Sequence, residues 1–154
     1  MTATKSPEPK SEQVLSRLFI SRVESKTPQC RAGSPVHFVT MLSQGVSGDV
    51  LRPMTKHIPK GVVISTVGTD PSNFSKLTQR KRLTARQTED LNDLTKLWME
   101  LREFFDWDES MVKAWIDEPL PALDGTPPSA IMSSAEGRDI IREQLDVMRY
   151  GDFA

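Results

Sequence analysis

Two histidines, one cysteine and 21 carboxylates are the side chains from which this 154-residue chain would have to build catalysis or a metal site. His37 and His57 have no carboxylate or cysteine at the three- or four-residue spacings that bring metal ligands together on a helix or turn. Each reads as an ordinary surface or partly buried residue. Cys30 lies in a Pro-, Gly- and Ser-containing stretch with no obvious activating partner. Being alone it closes no intrachain disulfide, which fits a reducing compartment. No glycine-rich loop has phosphate-cradling spacing. The residues argue against an enzyme, and neither a cofactor nor a metal is expected.

The charges carry more information than the nucleophiles. A net charge of −1 conceals two opposed halves. Residues 1–86 hold 14 Lys/Arg against 5 Asp/Glu, while residues 87–154 hold 6 against 16. Such a split suggests one polyanionic and one basic partner. In the basic half, Ser72, Asn73 and Lys76 are of the types that meet base edges: Asn73 matches adenine and Lys76 matches guanine by donor–acceptor pattern. Gln79 and Arg80 share their polar side of a helix, and Arg80, Lys81, Arg82 and Arg86 suit phosphates, which fix position without carrying sequence information. DNA is the polyanionic partner these residue types would suit.

Helices must position these residues. Residues 1–13 have almost no apolar side chains and are expected to form a disordered tail. Residues 14–23 suit a short helix or a strand, and 25–35 read as loop. A helix over 36–44 ends at Gly45. Val50, Leu51, Met54 and Ile58 follow helical spacing, with Pro53 suited to a first turn. Pro59 restarts the chain into a short helix with Val62, Val63, Ile64 and Val67, ended by Gly68. Asp70 as N-cap and Pro71 in the first helical position open a helix over roughly 71–82, with Phe74 and Leu77 on its apolar side. Two short helices around the tight 67–70 turn describe a helix-turn-helix, whose second helix enters the major groove.

Thr84-Ala-Arg-Gln87 is a capping box that opens a long helix to about residue 105, with Leu91, Leu94, Leu97, Trp98, Leu101 and Phe105 on its buried face. Asp108 caps a helix bearing Met111, Val112, Trp115 and Ile116. A Pro/Gly-punctuated connection follows over 120–131, with a helical turn at its end. Ser133-Ser-Ala-Glu136 reads as a second capping box. Its helix turns Ile140, Ile141, Leu145 and Met148 inward and stops at Gly151. Trp98, Trp115 and Met148 are expected to be core formers. No hairpin is read, and the fold class is all-α.

Four spaced segments then carry a family likeness: Trp115-Ile-Asp-Glu-Pro119, Ala122-Leu-Asp-Gly-Thr-Pro127, Ser134-Ala-Glu-Gly137 and Met148-Arg-Tyr-Gly-Asp-Phe-Ala154. Their order resembles the toxin-binding domain of the Xre/MbcA/ParS antitoxins. In that family a tryptophan helix precedes a proline, a Gly-Thr-Pro turn, a helix with an early glycine, and a short tail after an aromatic–glycine pair. The likeness extends upstream through the helix-turn-helix to about Gly45. The family's recognition helix usually carries an Arg-Arg pair and a late glycine, where this chain has Lys76-Leu77 and Lys81. The family's base preference therefore does not carry over.

The resemblance implies an Xre/Cro-like helix-turn-helix domain and a small helical toxin-binding domain that share a long central helix. The corresponding division is a tail over 1–13, a partly helical extension over 14–44, a DNA-binding unit over 45–105 and a toxin-binding unit over 106–154. It implies a type II antitoxin that dimerises, covers the active site of a RES-domain toxin that consumes NAD⁺, and represses its own operon. The toxin-facing residues would be Arg149, Tyr150, Gly151, Asp152, Phe153 and Ala154. Asp152 and the carboxylate of Ala154 would meet the cationic groups of a pyrophosphate pocket, while Tyr150 and Phe153 fill apolar space. The alternatives are a stand-alone helix-turn-helix regulator whose acidic domain only dimerises, and a protein adaptor that has lost DNA binding. With neither a signal peptide nor a run of about 18–20 apolar residues, the chain is expected in the cytoplasm, away from membranes.

Overall fold

Apolar residues recurring every three or four positions give eight α-helices among the described residues, 10–27 and 33–151, of the computed structural model. These are α1 (Ser11–Glu24), α2 (Pro35–Gln44), α3 (Leu51–His57), α4 (Lys60–Thr66), α5 (Phe74–Thr78), α6 (Ala85–Phe104), α7 (Glu109–Ile116) and α8 (Ala135–Tyr150). Short 3₁₀ turns occupy Gly48–Val50, Pro121–Leu123 and Pro128–Ala130. The all-α expectation holds. No helix of the described residues is long and apolar enough to cross a membrane.

The organising element is α6, against which α1, α2, α4, α7 and α8 pack. Its start is fixed as the sequence predicts: Thr84 Oγ1 accepts from the Gln87 N–H at 3.1 Å, and Gln87 Oε1 accepts from the Thr84 N–H at 3.0 Å. Leu91, Leu94, Leu97, Trp98 and Leu101 are all fully buried. They belong to one apolar cluster that runs from Leu15 on α1 to Leu145 on α8. Each such side chain contributes about 1.5–3 kcal/mol relative to exposure. Phe105 lies at the edge of this core, its ring 4.9 Å from Phe104 and 5.8 Å from Trp115.

Residues 14–23 resolve to helix, and that helix begins earlier than the sequence suggests. The Lys10 carbonyl accepts from the N–H groups of Gln13 and Val14, so residues 11–13 belong to α1 rather than to a tail. Leu15, Leu18, Phe19 and Val23 then form a buried stripe at helical spacing. Arg22 fastens this stripe to α6 by donating to Asn92 Oδ1 at 2.6 Å, and its burial lowers its pKa to about 10. Arg102 of α6 reaches back to the Val23 and Glu24 carbonyls that α1 leaves open at its end.

The helix expected over 71–82 is the main departure. Only Phe74–Thr78 is α-helical, preceded by a turn at 71–73. The chain leaves the helix because its backbone pairs elsewhere: the Gly48 N–H donates to the Arg80 carbonyl at 2.9 Å, and the Leu83 N–H donates to the Val46 carbonyl at 2.7 Å. Such close approach requires glycine. A Cβ on Gly48 would stand 2.1 Å from the Leu77 oxygen, and one on Gly45 2.1 Å from the Leu83 oxygen.

Two details of the C-terminal part also differ. The N-cap of α8 is Ser134, whose Oγ accepts from the Gly137 N–H at 3.0 Å, so the expected Ser133–Glu136 capping box does not form. Gly137 takes the third helical position, where a Cβ would lie 1.8 Å from the Ile131 oxygen. In the preceding connection Asp124 and Gly125 both have positive φ (54° and 78°), and a lone antiparallel bridge joins Leu120 to Thr126. It is a hairpin reduced to its turn.

Candidate functional site

Two exposed surfaces carry the residues singled out above. The first surrounds α5. Asp70 caps the turn as predicted, accepting from the Asn73 N–H at 2.9 Å, but it also binds the Ser72 hydroxyl and the Asn73 side-chain amide. These bonds, led by the one from Ser72, hold the Asp70 carboxyl below its ordinary range. Ser72 and Asn73 are therefore exposed yet already hydrogen-bonded. The side chains of Lys76, Gln79, Arg80 and Lys81 are exposed and make no hydrogen bond or ion pair with the described residues. Arg82 pairs with Glu12 of α1 at 3.1 Å.

Gln79, Arg80, Lys81 and Arg82 line one shallow hollow together with Lys10, Glu12, Ser47 and Asp49. Arg86 does not line it. It borders a separate groove between the end of α4 and the start of α8, with Gly68, Gln87, Asp90 and Ser134. The basic loop is held from below by the Gly48–Arg80 and Val46–Leu83 backbone bonds, which spares it part of the ordering cost of binding.

The second surface lies on α8. Arg138, 1% exposed, donates to Asp93 Oδ2 at 2.6 Å, Asp90 Oδ1 at 2.8 Å and the Met132 carbonyl at 3.2 Å. Arg142 binds Asp93, Glu100 and Asp139. Burial alone would raise the Asp93 carboxyl, but the hydrogen bonds and charges of Arg142 and Arg138 outweigh it and hold the group below its usual range. Three anions of the acidic half, Asp90, Asp93 and Glu100, are thus used to bolt α8 onto α6. Composition does not reveal this use, because the pairs join positions 42 to 49 residues apart.

Beyond these bolts α8 rises out of the core. Ile141 and Leu145 are buried as expected, but Met148 is 43% exposed and is not a core residue. The last core contact of the helix falls one turn earlier than the spacing suggests. Val147 and Tyr150 are 54% and 66% exposed, and Met111 on α7 is 52% exposed. Arg149 lies over the Phe104 ring at 5.7 Å and 3.7 Å from Asp146. Gly151, at φ 67°, ends the helix and accepts the turn the sequence assigns to it. Of the six residues expected to face a partner, Arg149, Tyr150 and Gly151 are exposed at this end. Asp152, Phe153 and Ala154 lie outside the described residues.

His57 has a structural use the sequence did not suggest. Its Nδ1 faces Glu109 of α7 at 3.0 Å, and its Nε2 faces Glu24 of α1 at 3.7 Å, joining three helices. Among the described residues no group of three or more His, Cys, Asp or Glu is placed to hold a metal ion.

Residues 100–151, from the last turns of α6 to the end of α8, match the family described as the antitoxin Xre/MbcA/ParS C-terminal toxin-binding domain. The stretch contains all of α7 and α8, the Asp124-Gly125 turn and the exposed helix end. The upstream likeness over 45–99 lies outside the match. No curated protein matches the chain.

Proposed function

We propose, on the premise that residues 100–151 form an Xre/MbcA/ParS toxin-binding domain, that this protein is the antitoxin of a type II pair. Its C-terminal region covers the active site of a RES-domain toxin that consumes NAD⁺. The observation that carries this reading is the end of α8. In a domain of toxin-binding type, the helix leaves the core with Val147, Met148 and Tyr150 exposed, and Gly151 then releases the chain. A single apolar residue in water is unremarkable, but three on one terminal turn suit a buried interface.

Occlusion follows from simple chemistry. A site that binds a dinucleotide pyrophosphate must offer cations or helix N-termini. A short tail with Asp152 and Phe153 after Tyr150 supplies an anion and apolar surface to such a site, excluding the dinucleotide without any reaction. Deleting residues 151–154 and measuring NAD⁺ turnover by the toxin in the purified complex tests this. Restored turnover in an intact complex is expected, whereas full inhibition at equal complex stability refutes occlusion by the tail.

The same protein binds operator DNA as a dimer through the α5 region in this proposal. The side chains of Lys76, Gln79, Arg80 and Lys81, exposed and unpaired, support that part. Because Asp70 already engages Ser72 and Asn73, most of the DNA affinity would come from phosphate contacts.

A further inference from the structure

The arginines of the matched domain are spent within the fold. Arg102 holds the end of α1, Arg138 and Arg142 hold α6, and Arg149 lies against Asp146 and Phe104. The carboxylates of α8 are not spent in the same way. Glu136, Asp139, Glu143 and Asp146 follow at i, i+3, i+7 and i+10 and are all exposed, which places them along one face of the helix. Glu136 and Glu143 have no partner among the described residues. Val147 and Tyr150 continue the same face to the helix end, while Arg138, Ile141 and Leu145 occupy the buried one. This outer face, anionic first and apolar last, is not needed to hold the protein together.

Resting on the reading of residues 100–151 as a toxin-binding domain, we infer that this face of α8 is a docking surface for the toxin, and that the toxin offers it a basic patch beside an apolar pocket. The exposed apolar turn adjoins Gly151, where α8 ends, so face and helix end present one continuous surface to a single partner. Duplex DNA is excluded as the occupant, because four carboxylates in line repel phosphates. The two parts of the face do different work. Carboxylates at the rim of an interface speed and orient encounter, whereas a desolvated aromatic slows dissociation.

The test uses the full chain and the toxin encoded by its adjoining gene, with association and dissociation rates measured at low and high salt. Glu136→Gln/Glu143→Gln leaves the Arg142 and Arg149 pairs intact, and unchanged thermal unfolding verifies its fold. It is expected to slow association roughly 3–10-fold at low salt, with the difference fading at high salt and dissociation little changed. Tyr150→Ala is expected to speed dissociation at least about tenfold. Unchanged association of the glutamine variant, with wild type still binding, overturns the docking face and leaves the antitoxin reading standing. A wild-type chain that binds no toxin overturns both. Self-association of the free chain that the same substitutions abolish assigns the face to a second copy and also overturns the inference.

Discussion

Arg138 provides the most exposing perturbation of the fold over the matched residues 100–151. Replacing it by methionine keeps the length and apolar stem but removes three donated hydrogen bonds, two of them to carboxylates. Breaking a fully buried ion pair from one side costs about 3–5 kcal/mol. Asp90 and Asp93 are 28% and 31% exposed, so water relieves part of that cost, and Arg142 still holds Asp93. About 2–3 kcal/mol is the resulting expectation. For a chain of this length that lowers Tm by about 4–12 °C.

The pH dependence follows from the Asp93 shift. A carboxyl held below its ordinary 3.8 in the folded state stabilises the protein above that value, and the contribution disappears as pH falls through the folded-state pKa. The gap between wild type and Arg138→Met should therefore be full at neutral pH and narrow below about pH 4. Urea unfolding across that range measures it. A loss under about 1 kcal/mol at neutral pH, or a gap that stays constant into acid, refutes the assignment of Arg138 as the bolt between α8 and α6.

Other expectations follow from single positions. Asp106 and Trp107 both have positive φ (52° and 65°), and Asp106 stands where a helix-terminating glycine is usual, with the Trp107 N–H bonded to the Arg102 carbonyl. Asp106→Gly should stabilise by about 0.5–1 kcal/mol in thermal unfolding, and a loss would show that the aspartate side chain is required there. Gly137→Ala forces a Cβ against the Ile131 oxygen, and a cost of about 2–3 kcal/mol is expected. An alanine variant of wild-type stability would mean that the α8 start relaxes freely. Arg80→Ala/Lys81→Ala should reduce the dependence of operator affinity on salt by about two units of log–log slope, and an unchanged slope would place the phosphate contacts elsewhere.

What the sequence made legible is what local chemistry decides. The Thr84 capping box, the Asp108 cap, the stop at Gly45 and the leucine stripe of α6 all appear where side-chain type and spacing put them. The extent of α5 is not legible in its own sequence because its length is set from outside. Val46 and Gly48, more than 30 positions upstream, take the backbone bonds that would have continued the helix. The exposure of Met148 has a related reason: periodicity gives the face of a helix but not where its partner ends. The cap of α8 sits one residue later than the expected Ser133, at Ser134, where the Gly137 N–H reaches its Oγ and Gly137 lies close against the Ile131 carbonyl. The C-terminal domain was legible through a different signal. Four spaced segments between Trp115 and Ala154 resemble a known domain, and residues 100–151 match it.

The antitoxin reading is tested most directly by expressing the toxin of the adjoining gene with and without this chain, following growth, cellular NAD⁺ and co-purification. The account predicts that the toxin alone arrests growth and depletes NAD⁺, and that the full chain restores both and elutes with the toxin as one complex. Persistent arrest with both proteins soluble, or separate elution of the two, contradicts it.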